Sequence, residues 1–526
     1  MNENYTIHNY LNDSGIEDIP KNLPAFPLAY KPMPHQVSGL NKALYHTRFG
    51  LYDDPGTGKS YTMQAYALNM IALGNKVVCV MPPVLCEQFI ETTHEFFKGS
   101  ENWFSHAVIN KIPTARQKQF DKWDQEKSWP DVLLMSYQMF SILNTHIVKI
   151  QLAKRVKKKK VFNFFLRDKG YNVLICDEAQ ALKGAESTIH SLVYRYTEDE
   201  NETALILATG TPLHHTPLDG FAMCRLTDRE TQYKSMENFK RIHCIRSKFK
   251  INKLIRGRNR AILVEDIKGY KDLELLNQNM YRYARRVEKD QVLSLKDPTL
   301  IPVDFNLEPA HRKLYTTMAN ERMIELGENR IITSKEATQL REHLMRIVCC
   351  PNEYTDKKIK NNVLESVDQL IDSLSLGPSN KLLLYCHHNM VIETLADHLS
   401  EHSPLLVYGG KLSSQPKNAK SVDEFKTNPD RHIMISHPLS GGVGLNLQNV
   451  CSVIIFVEPT SIAGDFNQSL SRIHRAGQKH AVVVYLLRPR ATAYVKMVEF
   501  MLTNSDLAMT INQDTKSFRQ FINGED

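Results

Sequence analysis

The stretch Asp53-Asp54-Pro55-Gly56-Thr57-Gly58-Lys59-Ser60 decides how the rest of the chain is read. A short apolar and aromatic run, Phe49-Gly50-Leu51-Tyr52, precedes it, and a helix-like segment from Tyr61 to Leu73 follows. Strand, glycine-rich turn and helix together make the setting of a phosphate-binding loop. Closely spaced glycines let backbone N–H groups converge on phosphate oxygens, and the helix N-terminus adds partial positive charge. In such a loop Lys59 would reach the β- and γ-phosphates and the Ser60 hydroxyl would ligate Mg²⁺. The first glycine of the common pattern would fall at Asp53. Gly-x-Gly-Lys-Ser alone also fits an ordinary glycine turn ahead of a helix, so its surroundings must decide.

Upstream, Lys31-Pro32-Met33-Pro34-His35-Gln36 enters a helix-like run from Val37 to Tyr45. A glutamine there can read adenine, because its amide both donates and accepts hydrogen bonds, although a surface helix residue is the simpler alternative. Downstream, apolar runs bounded by turns alternate with helix-like stretches: 76–81, 131–137, 171–176 and 204–208. That alternation predicts a buried parallel sheet. The third run leads straight into Asp177-Glu178-Ala179-Gln180. Carboxylates at the carboxyl end of a parallel strand lie where such sheets bind ligands. Asp177 could hold a phosphate-bridging Mg²⁺, and Glu178 could orient or deprotonate the attacking water. The plainer alternative is a helix cap with favourable first-turn charge. The fourth run ends in Thr209-Gly210-Thr211-Pro212, whose hydroxyls could hydrogen-bond the neighbouring carboxylates.

The 526 residues predict two to four domains, and 42% hydrophobic with 24% charged residues describe a soluble globular chain. No run approaches the ~18 apolar residues of a membrane span, and Met1-Asn2-Glu3-Asn4-Tyr5 does not resemble an export signal. A cytoplasmic location is therefore expected. Nine scattered cysteines with no C-x-x-C pair argue for reduced thiols and against zinc. A net charge of +8 permits an acidic partner without requiring one. Basic residues concentrate in 154–160, which includes Lys157 and Lys158, and in 240–260, where no acidic residue interrupts Arg241, Arg246, Lys248, Lys250, Lys253, Arg256 and Arg258. The first run also fits a solvated loop. The second suits sequence-independent contact with a phosphate backbone.

In order and type, Gln36, Gly58-Lys59-Ser60, Asp177-Glu178-Ala179-Gln180 and Thr209-Gly210-Thr211-Pro212 resemble the motifs of superfamily 2 helicases, and most of all those of SNF2-like translocases. Gln180 stands where that family usually has histidine. Tyr283-Ala284-Arg285-Arg286-Val287-Glu288-Lys289-Asp290-Gln291-Val292-Leu293 is similar to the family's lobe-linker element, with one residue inserted. In the second half, strand-like runs at 381–386, 405–410, 431–436 and 452–456 predict another α/β lobe. Ser440 to Leu447 resembles the family's glycine-rich motif V, and Gln468-Ser469-Leu470-Ser471-Arg472-Ile473-His474-Arg475-Ala476-Gly477-Gln478 resembles its Gln-x-x-x-Arg-x-His-Arg-x-Gly-Gln string. On a helix, Gln468, Arg472 and Arg475 would share one face, presenting guanidinium groups in an arginine-finger arrangement.

The resemblance implies two RecA-like α/β lobes with parallel sheets, joined by a basic helical linker. The expected division is a lead-in at 1–25, lobe 1 at 26–225, linker at 226–300, lobe 2 at 301–505 and a tail at 506–526. ATP and Mg²⁺ are the implied cofactors. Glu178, Lys59, Arg472 and Arg475 would serve catalysis, and Ser60 and Asp177 the metal. Gln36, Asp54, Pro55, Gly56, Thr57, Gly58, Lys59, Ser60, Gly444 and Gln468 would hold the nucleotide. Nucleic acid would meet Pro83, Ser136, Tyr137, Lys157, Lys158, Lys248, Lys250, Arg256, Arg258 and Gly442. The implied activity is an ATP-driven, monomeric translocase on duplex or branched DNA. A strand-separating helicase on DNA or RNA and an ATP-gated binding protein are the competing readings.

Overall fold

The computed structural model describes residues 31–502 except 84, 153–154, 199–202, 214–215, 256–257, 293–294, 322, 327–329, 334–336, 410–414, 439–445, 461–462 and 500. The expected lead-in 1–25 and tail 506–526, with Arg256, Gly442 and Gly444, lie outside the described residues. The chain divides into two compact units, the first running to Val292 and the second covering Leu293–Ala508.

The first unit is built on strands β1 (Arg48–Leu51), β2 (Lys76–Val80), β3 (His106–Val108) and β4 (Val132–Met135). A two-stranded excursion, β5 (Thr145–Leu152) and β6 (Arg155–Phe162), precedes β7 (Tyr171–Asp177) and β8 (Ala204–Ala208). A second excursion, β9 (Cys244–Ile255) and β10 (Arg258–Tyr270), comes before the two-residue β11 (Ala284–Arg285). Seven of these form one parallel sheet in the order β11-β1-β8-β7-β2-β4-β3. Its central strands β8, β7 and β2 are largely apolar, with Lys76, Asn172 and Asp177 towards their ends, because helices cover both faces. One face buries Val78, Val80, Leu133, Leu174, Leu205 and Leu207, and the other buries Val77, Cys79, Leu134, Val173, Ile175 and Ile206. All four predicted strands are present.

The second unit contributes β12 (Thr299–Phe305), the hairpin strands β13 (Met323–Leu326) and β14 (Arg330–Thr333), β15 (Lys381–Tyr385), β16 (Leu405–Val407), β17 (Ile433–Ser436), β18 (Cys451–Phe456) and β19 (Val483–Pro489). Six of them form a parallel sheet in the order β12-β19-β18-β15-β17-β16. Two α/β lobes, each with its own parallel sheet and two-sided core, are the architecture of the RecA-like pair.

The segment 226–300 departs from the expected helical linker. Helices occupy Met236–His243, Leu273–Met280 and Lys289–Val292, but the basic middle is the antiparallel pair β9–β10. The reason is local. Ile245, Phe249, Ile251 and Ile255 put β-branched and aromatic residues through β9, and Gly257 breaks the run. The segment also belongs with the first unit up to Val292, because β11 completes the edge of that unit's sheet. The described part of the run 154–160, residues 155–160, is likewise paired, in β6, and is not an open loop.

Candidate functional site

The sheet of the first unit brings three predicted elements together at its carboxyl edge. β1 ends at Leu51 and the loop 53–58 follows; β7 ends at Asp177; β8 ends at Ala208, just before Thr209. β1, β8 and β7 are consecutive neighbours, so these three ends sit side by side.

The loop passes into the helix Lys59–Ala72 through Gly58, whose φ of 87° is left-handed. A side chain there would be strained, and a Cβ would lie 2.4 Å from Gln36 Nε2. The close approach has a purpose: Gln36 Nε2 donates to the Gly58 carbonyl at 3.2 Å, and its Oε1 accepts the Met33 N–H at 2.8 Å. His35 adds a bond from Nε2 to the Thr57 carbonyl at 2.7 Å. The Pro34–Tyr45 helix thus grips the loop by two adjacent side chains, of which the sequence singled out only Gln36. Thr57 is buried and its hydroxyl donates to the Asp54 carbonyl at 2.8 Å. Lys59 Nζ folds back on the loop, donating to the carbonyls of Asp53 at 2.5 Å and Asp54 at 3.0 Å. Burial lowers the pKa of its ammonium, against the pull of Asp53, Glu178, Asp177 and Asp54. Ser60, in the first helical turn, is exposed.

Asp177 and Glu178 face this loop. Burial, then the adjacent Glu178 charge, raise the Asp177 carboxyl to about 7, while the Glu178 N–H (2.9 Å to Oδ1) and Lys59 oppose the shift. Glu178 holds a left-handed backbone, φ 51° and ψ 49°, which a non-glycine residue adopts at some cost and which turns β7 into the short helix Ala179–Leu182. Gln180 then acts as a bridge. Its Nε2 donates to Glu178 Oε2 at 2.7 Å and its Oε1 accepts the Thr209 hydroxyl at 2.7 Å. Thr209 Oγ1 also receives the Thr211 N–H at 3.0 Å. The expected link from threonine to carboxylate therefore runs through the residue that departs from the family pattern. Next to it, a Cβ on Gly210 would sit 2.5 Å from the Pro55 ring, so this turn packs directly on the phosphate loop.

A third contribution was visible only as a motif without a role. The segment 283–289 runs beside β1 and the loop: Tyr52 N–H donates to Arg285 O, and Asp54 N–H to Val287 O, each at 2.9 Å. Arg285 pairs with Asp53 Oδ2 at 2.5 Å, the two side chains being 6% and 1% exposed, and also donates to the His35 carbonyl. Arg286 reaches Asp54 Oδ1 at 3.1 Å, and Lys289 N–H donates to Asp54 Oδ2 at 3.2 Å. The signal in the sequence was the complementarity of two adjacent acids, Asp53-Asp54, and two adjacent bases, Arg285-Arg286.

The expected nucleic-acid contacts fare differently. Ser136 caps the helix Tyr137–Leu143 by accepting the Met139 N–H, and the Tyr137 hydroxyl donates to the Asp177 carbonyl at 2.8 Å. Both therefore have structural partners at the end of β4. Pro83 lies in the turn after β2, where its carbonyl accepts the Cys86 N–H. Lys157 and Lys158 lie in β6, Lys248 and Lys250 in β9, and Arg258 opens β10.

In the second unit the expected common helical face of Gln468, Arg472 and Arg475 does not form. The helix Ala463–Leu470 ends after Gln468, and both arginines follow in turns. Serine side chains take helical carbonyls, Ser469 that of Asp465 and Ser471 that of Gln468, both at 2.7 Å. Bonds from Arg472 N–H to Ser469 O and from Ile473 N–H to Leu470 O then tighten the chain out of α-geometry. The arginines remain neighbours. Burial, then the Arg472 charge, lower Arg475 to about 10, and its guanidinium donates to Asn446 Oδ1. Arg472 Nε is buried with no partner among the described residues.

A glycine-rich loop leading into a helix, an Asp-Glu pair at the end of β7 and a second unit with its own parallel sheet define a chain of two RecA-like α/β lobes. The chain belongs to the SNF2-related family: the SNF2-related domain matches residues 41–354, and the helicase conserved C-terminal domain matches 363–477. It is 22% identical over 483 residues to the CHD3-type chromatin-remodeling factor CHR7 of Arabidopsis thaliana, covering 88% of this chain and 36% of that protein. Identity to an uncharacterized ATP-dependent helicase of Mycoplasma pneumoniae is also 22%, over 93% of this chain and 43% of the relative. The chain thus spans well under half the length of these two. A probable global transactivator of Orgyia pseudotsugata multicapsid polyhedrosis virus is 22% identical, with 86% and 85% covered. The solved Sulfolobus solfataricus SWI2/SNF2 ATPase core in complex with dsDNA aligns over 96% of this chain and 98% of its own, at 15% identity and TM-score 0.36. No helix among the described residues is long and apolar enough to cross a membrane.

Proposed function

We propose that this protein hydrolyses ATP to move along duplex DNA, remodelling forks or junctions or displacing bound proteins. The observation that carries the chemistry is the convergence of Lys59, Asp177 and Glu178 at one sheet edge, with Glu178 tied through Gln180 to Thr209. Lys59 exchanges its two loop carbonyls for phosphate oxygens. Gln36 and His35 hold the loop to the helix that carries them. Glu178 orients the attacking water and accepts its proton, a role its bond to Gln180 fixes in direction. Ser60 and Asp177 supply the hard oxygen donors that suit Mg²⁺, and a cation there would oppose the burial and the neighbouring Glu178 charge that raise Asp177. When bound, Mg²⁺ neutralises charge developing on the phosphates. In the second unit Arg472 and Arg475, neighbours by charge, are the residues proposed to serve catalysis there.

DNA as the track is supported by the relatives' names, among them a DNA repair and recombination protein RAD54-like of Drosophila ananassae at 20% identity over 94% of this chain. The test is ATP hydrolysis by the wild type and Glu178→Gln with no polymer, single strands, duplex DNA, forked DNA and RNA. Duplex or forked DNA should stimulate the wild type most, and the variant should lose turnover by about 10²–10⁴-fold. Stimulation by RNA or single strands alone would replace the translocase reading with a strand-separating one.

A further inference from the structure

Gln180 does more than join two elements, because the polarity of its bridge is fixed at every link. The Thr211 N–H can only donate, so the Thr209 hydroxyl accepts it at 3.0 Å and keeps its own hydrogen to give. That hydrogen goes to Gln180 Oε1 at 2.7 Å. An ionised carboxylate can only accept, so the amide must turn its NH₂ group towards Glu178, and Nε2 donates to Oε2 at 2.7 Å. Each partner excludes the opposite orientation of the next.

Backbone contacts set both ends of the bridge. Thr209 is fully buried and its N–H donates to the Leu51 carbonyl at 3.1 Å, which ties the hydroxyl to the end of β1. Glu178 is turned by its left-handed backbone, and its carbonyl accepts the Ala181 N–H at 3.0 Å. Between them the Gln180 carbonyl accepts the Lys183 N–H at 3.2 Å. A carboxamide therefore spans two fixed points with a donor facing one and an acceptor facing the other. Backbone amide, hydroxyl and carboxamide all keep their protons across the ordinary pH range, so nothing that links Glu178 to Thr209 titrates.

The titratable groups around the bridge are Glu178 itself, Asp177 and Cys176 at the end of β7, Lys59 on the loop helix, and Tyr137, whose hydroxyl donates to the Asp177 carbonyl. Burial raises the Tyr137 hydroxyl and the Cys176 thiol, so both stay neutral in acid. An imidazole in place of Gln180, the family's usual residue, would be neutral above about 6.5 and could copy the amide, with one N–H for Glu178 and one lone pair for Thr209. Once protonated it would turn an N–H towards both. The Thr209 hydrogen would then lose its acceptor in a fully buried position. The new positive charge beside Glu178 would also hold that carboxylate in its ionised form and weaken it as a base.

We propose that Gln180 is a proton-independent positioning residue: its amide keeps Glu178 aimed from Thr209 through the mildly acid range in which a histidine bridge would hold the same carboxylate in an ion pair. The inference rests on the reading of Glu178 as the group that takes the proton of water, and adds how that site responds to pH. Above neutrality an imidazole and an amide make the same two bonds, so the difference between them belongs to the acid side. A carboxyl group at this position would have the opposite dependence. Protonated, it could donate to Glu178 and accept from Thr209 as the amide does; ionised, it would face Glu178 with a like charge and no donor.

The test measures kcat at saturating ATP and Mg²⁺ for the wild type, Gln180→His and Gln180→Glu from about pH 5.5 to about pH 8.5, the range that brackets an imidazole. All three proteins keep Asp177, Lys59 and Tyr137, so the ratio of variant to wild-type kcat removes their shared titrations. For Gln180→His the ratio should fall by about tenfold or more towards acid, with a midpoint at or above about 6.5 because Glu178 favours the imidazolium. For Gln180→Glu, which keeps the size and shape of glutamine, the ratio should fall as pH rises. A merely structural role for Gln180 would leave both ratios level. Folding of each variant at both ends of the range is checked by the fluorescence of Trp103, Trp123 and Trp129, all in the first unit. Level ratios in folded protein would overturn the proposal, as would slopes of the same sign in the two variants. Undiminished turnover by Glu178→Gln would instead remove Glu178 as the base, a failure of the reading beneath the proposal that is separate from any result at Gln180.

Discussion

Removing the Arg285 guanidinium while leaving Asp53 in place should destabilise the first unit far more than an ordinary surface change. Arg285→Met keeps most of the side-chain volume but strands an Asp53 carboxylate that is 1% exposed and loses its bond at 2.5 Å. Breaking a buried pair on one side costs about 3–5 kcal/mol, because the remaining charge has neither water nor partner. The pair itself is not strongly favourable. Burial raises the Asp53 pKa despite the opposing charges of Arg285 and Lys59, so desolvation outweighs attraction. It follows that Asp53→Asn/Arg285→Met should recover much of what the single variant loses. Urea unfolding monitored by tryptophan fluorescence isolates the first unit, which holds all three tryptophans. With a slope of about 3 kcal/mol per M, a loss of about 3 kcal/mol moves the midpoint down by about 1 M. A shift below about 0.3 M, or a double variant less stable than the single, would refute the reasoning. ATP affinity should fall with the single variant as well, since the Asp53 carbonyl is one of the two that receive Lys59.

Three further outcomes are expected. Thr209→Val cuts the hydroxyl that anchors Gln180, so kcat should fall about tenfold with little change in nucleotide affinity, read by single-turnover hydrolysis beside equilibrium binding. Gly58→Ala meets both a left-handed backbone and Gln36 Nε2, so it should cost at least about 1–2 kcal/mol in the same urea experiment; adding Gln36→Ala should relieve the clash but not the backbone strain. In the second unit His388 lies between buried Glu458, 2.6 Å from Nδ1, and Glu342, 2.7 Å from Nε2. Burial alone would lower its pKa, but bonds to the two carboxylates outweigh burial and raise it. Its contribution is thus complete below the unfolded value of about 6.5 and lost as pH rises through the folded value. The Glu342 contribution has the opposite sign, because its folded pKa is lowered and the gain disappears as pH falls. Hydrogen exchange of peptide 381–390, corrected for intrinsic rates, should show greatest protection in mildly acidic solution, and His388→Gln should flatten the profile.

Much of the candidate site was legible because each part is a local pattern. Apolar runs of four to seven residues ending in Gly, Asp-Glu or Thr-Gly can be placed on a parallel sheet by periodicity alone, and the structure brings those ends together at β1, β7 and β8. The two-residue β11 could not be found in this way. It is too short to show a period, and it is a strand only because Gly50 and Leu51 lie beside it. The grip of Arg285 and Arg286 on the loop depends on that pairing, so their role was hidden with it.

The basic stretch at 240–260 shows why composition was a poor guide to form. Lysine and arginine suit a helix by propensity, and a charge run gives no apolar stripe to contradict one. What decides is the placing of Phe249, Ile251 and Ile255 among the charges, with a glycine at 257, a pattern a ladder accommodates and a helix does not reward. The arginines of the second unit failed for the converse reason. Spacing by three and four is the mark of a helical face, yet the serines at 469 and 471 spend their hydroxyls on the carbonyls that the helix would have used. In both places the side chains between the charged residues set the backbone, and the backbone sets where the charge can act. A guanidinium held in a turn, with its Nε still unsatisfied, can be re-aimed by small changes in the turn. A helical face would carry it rigidly.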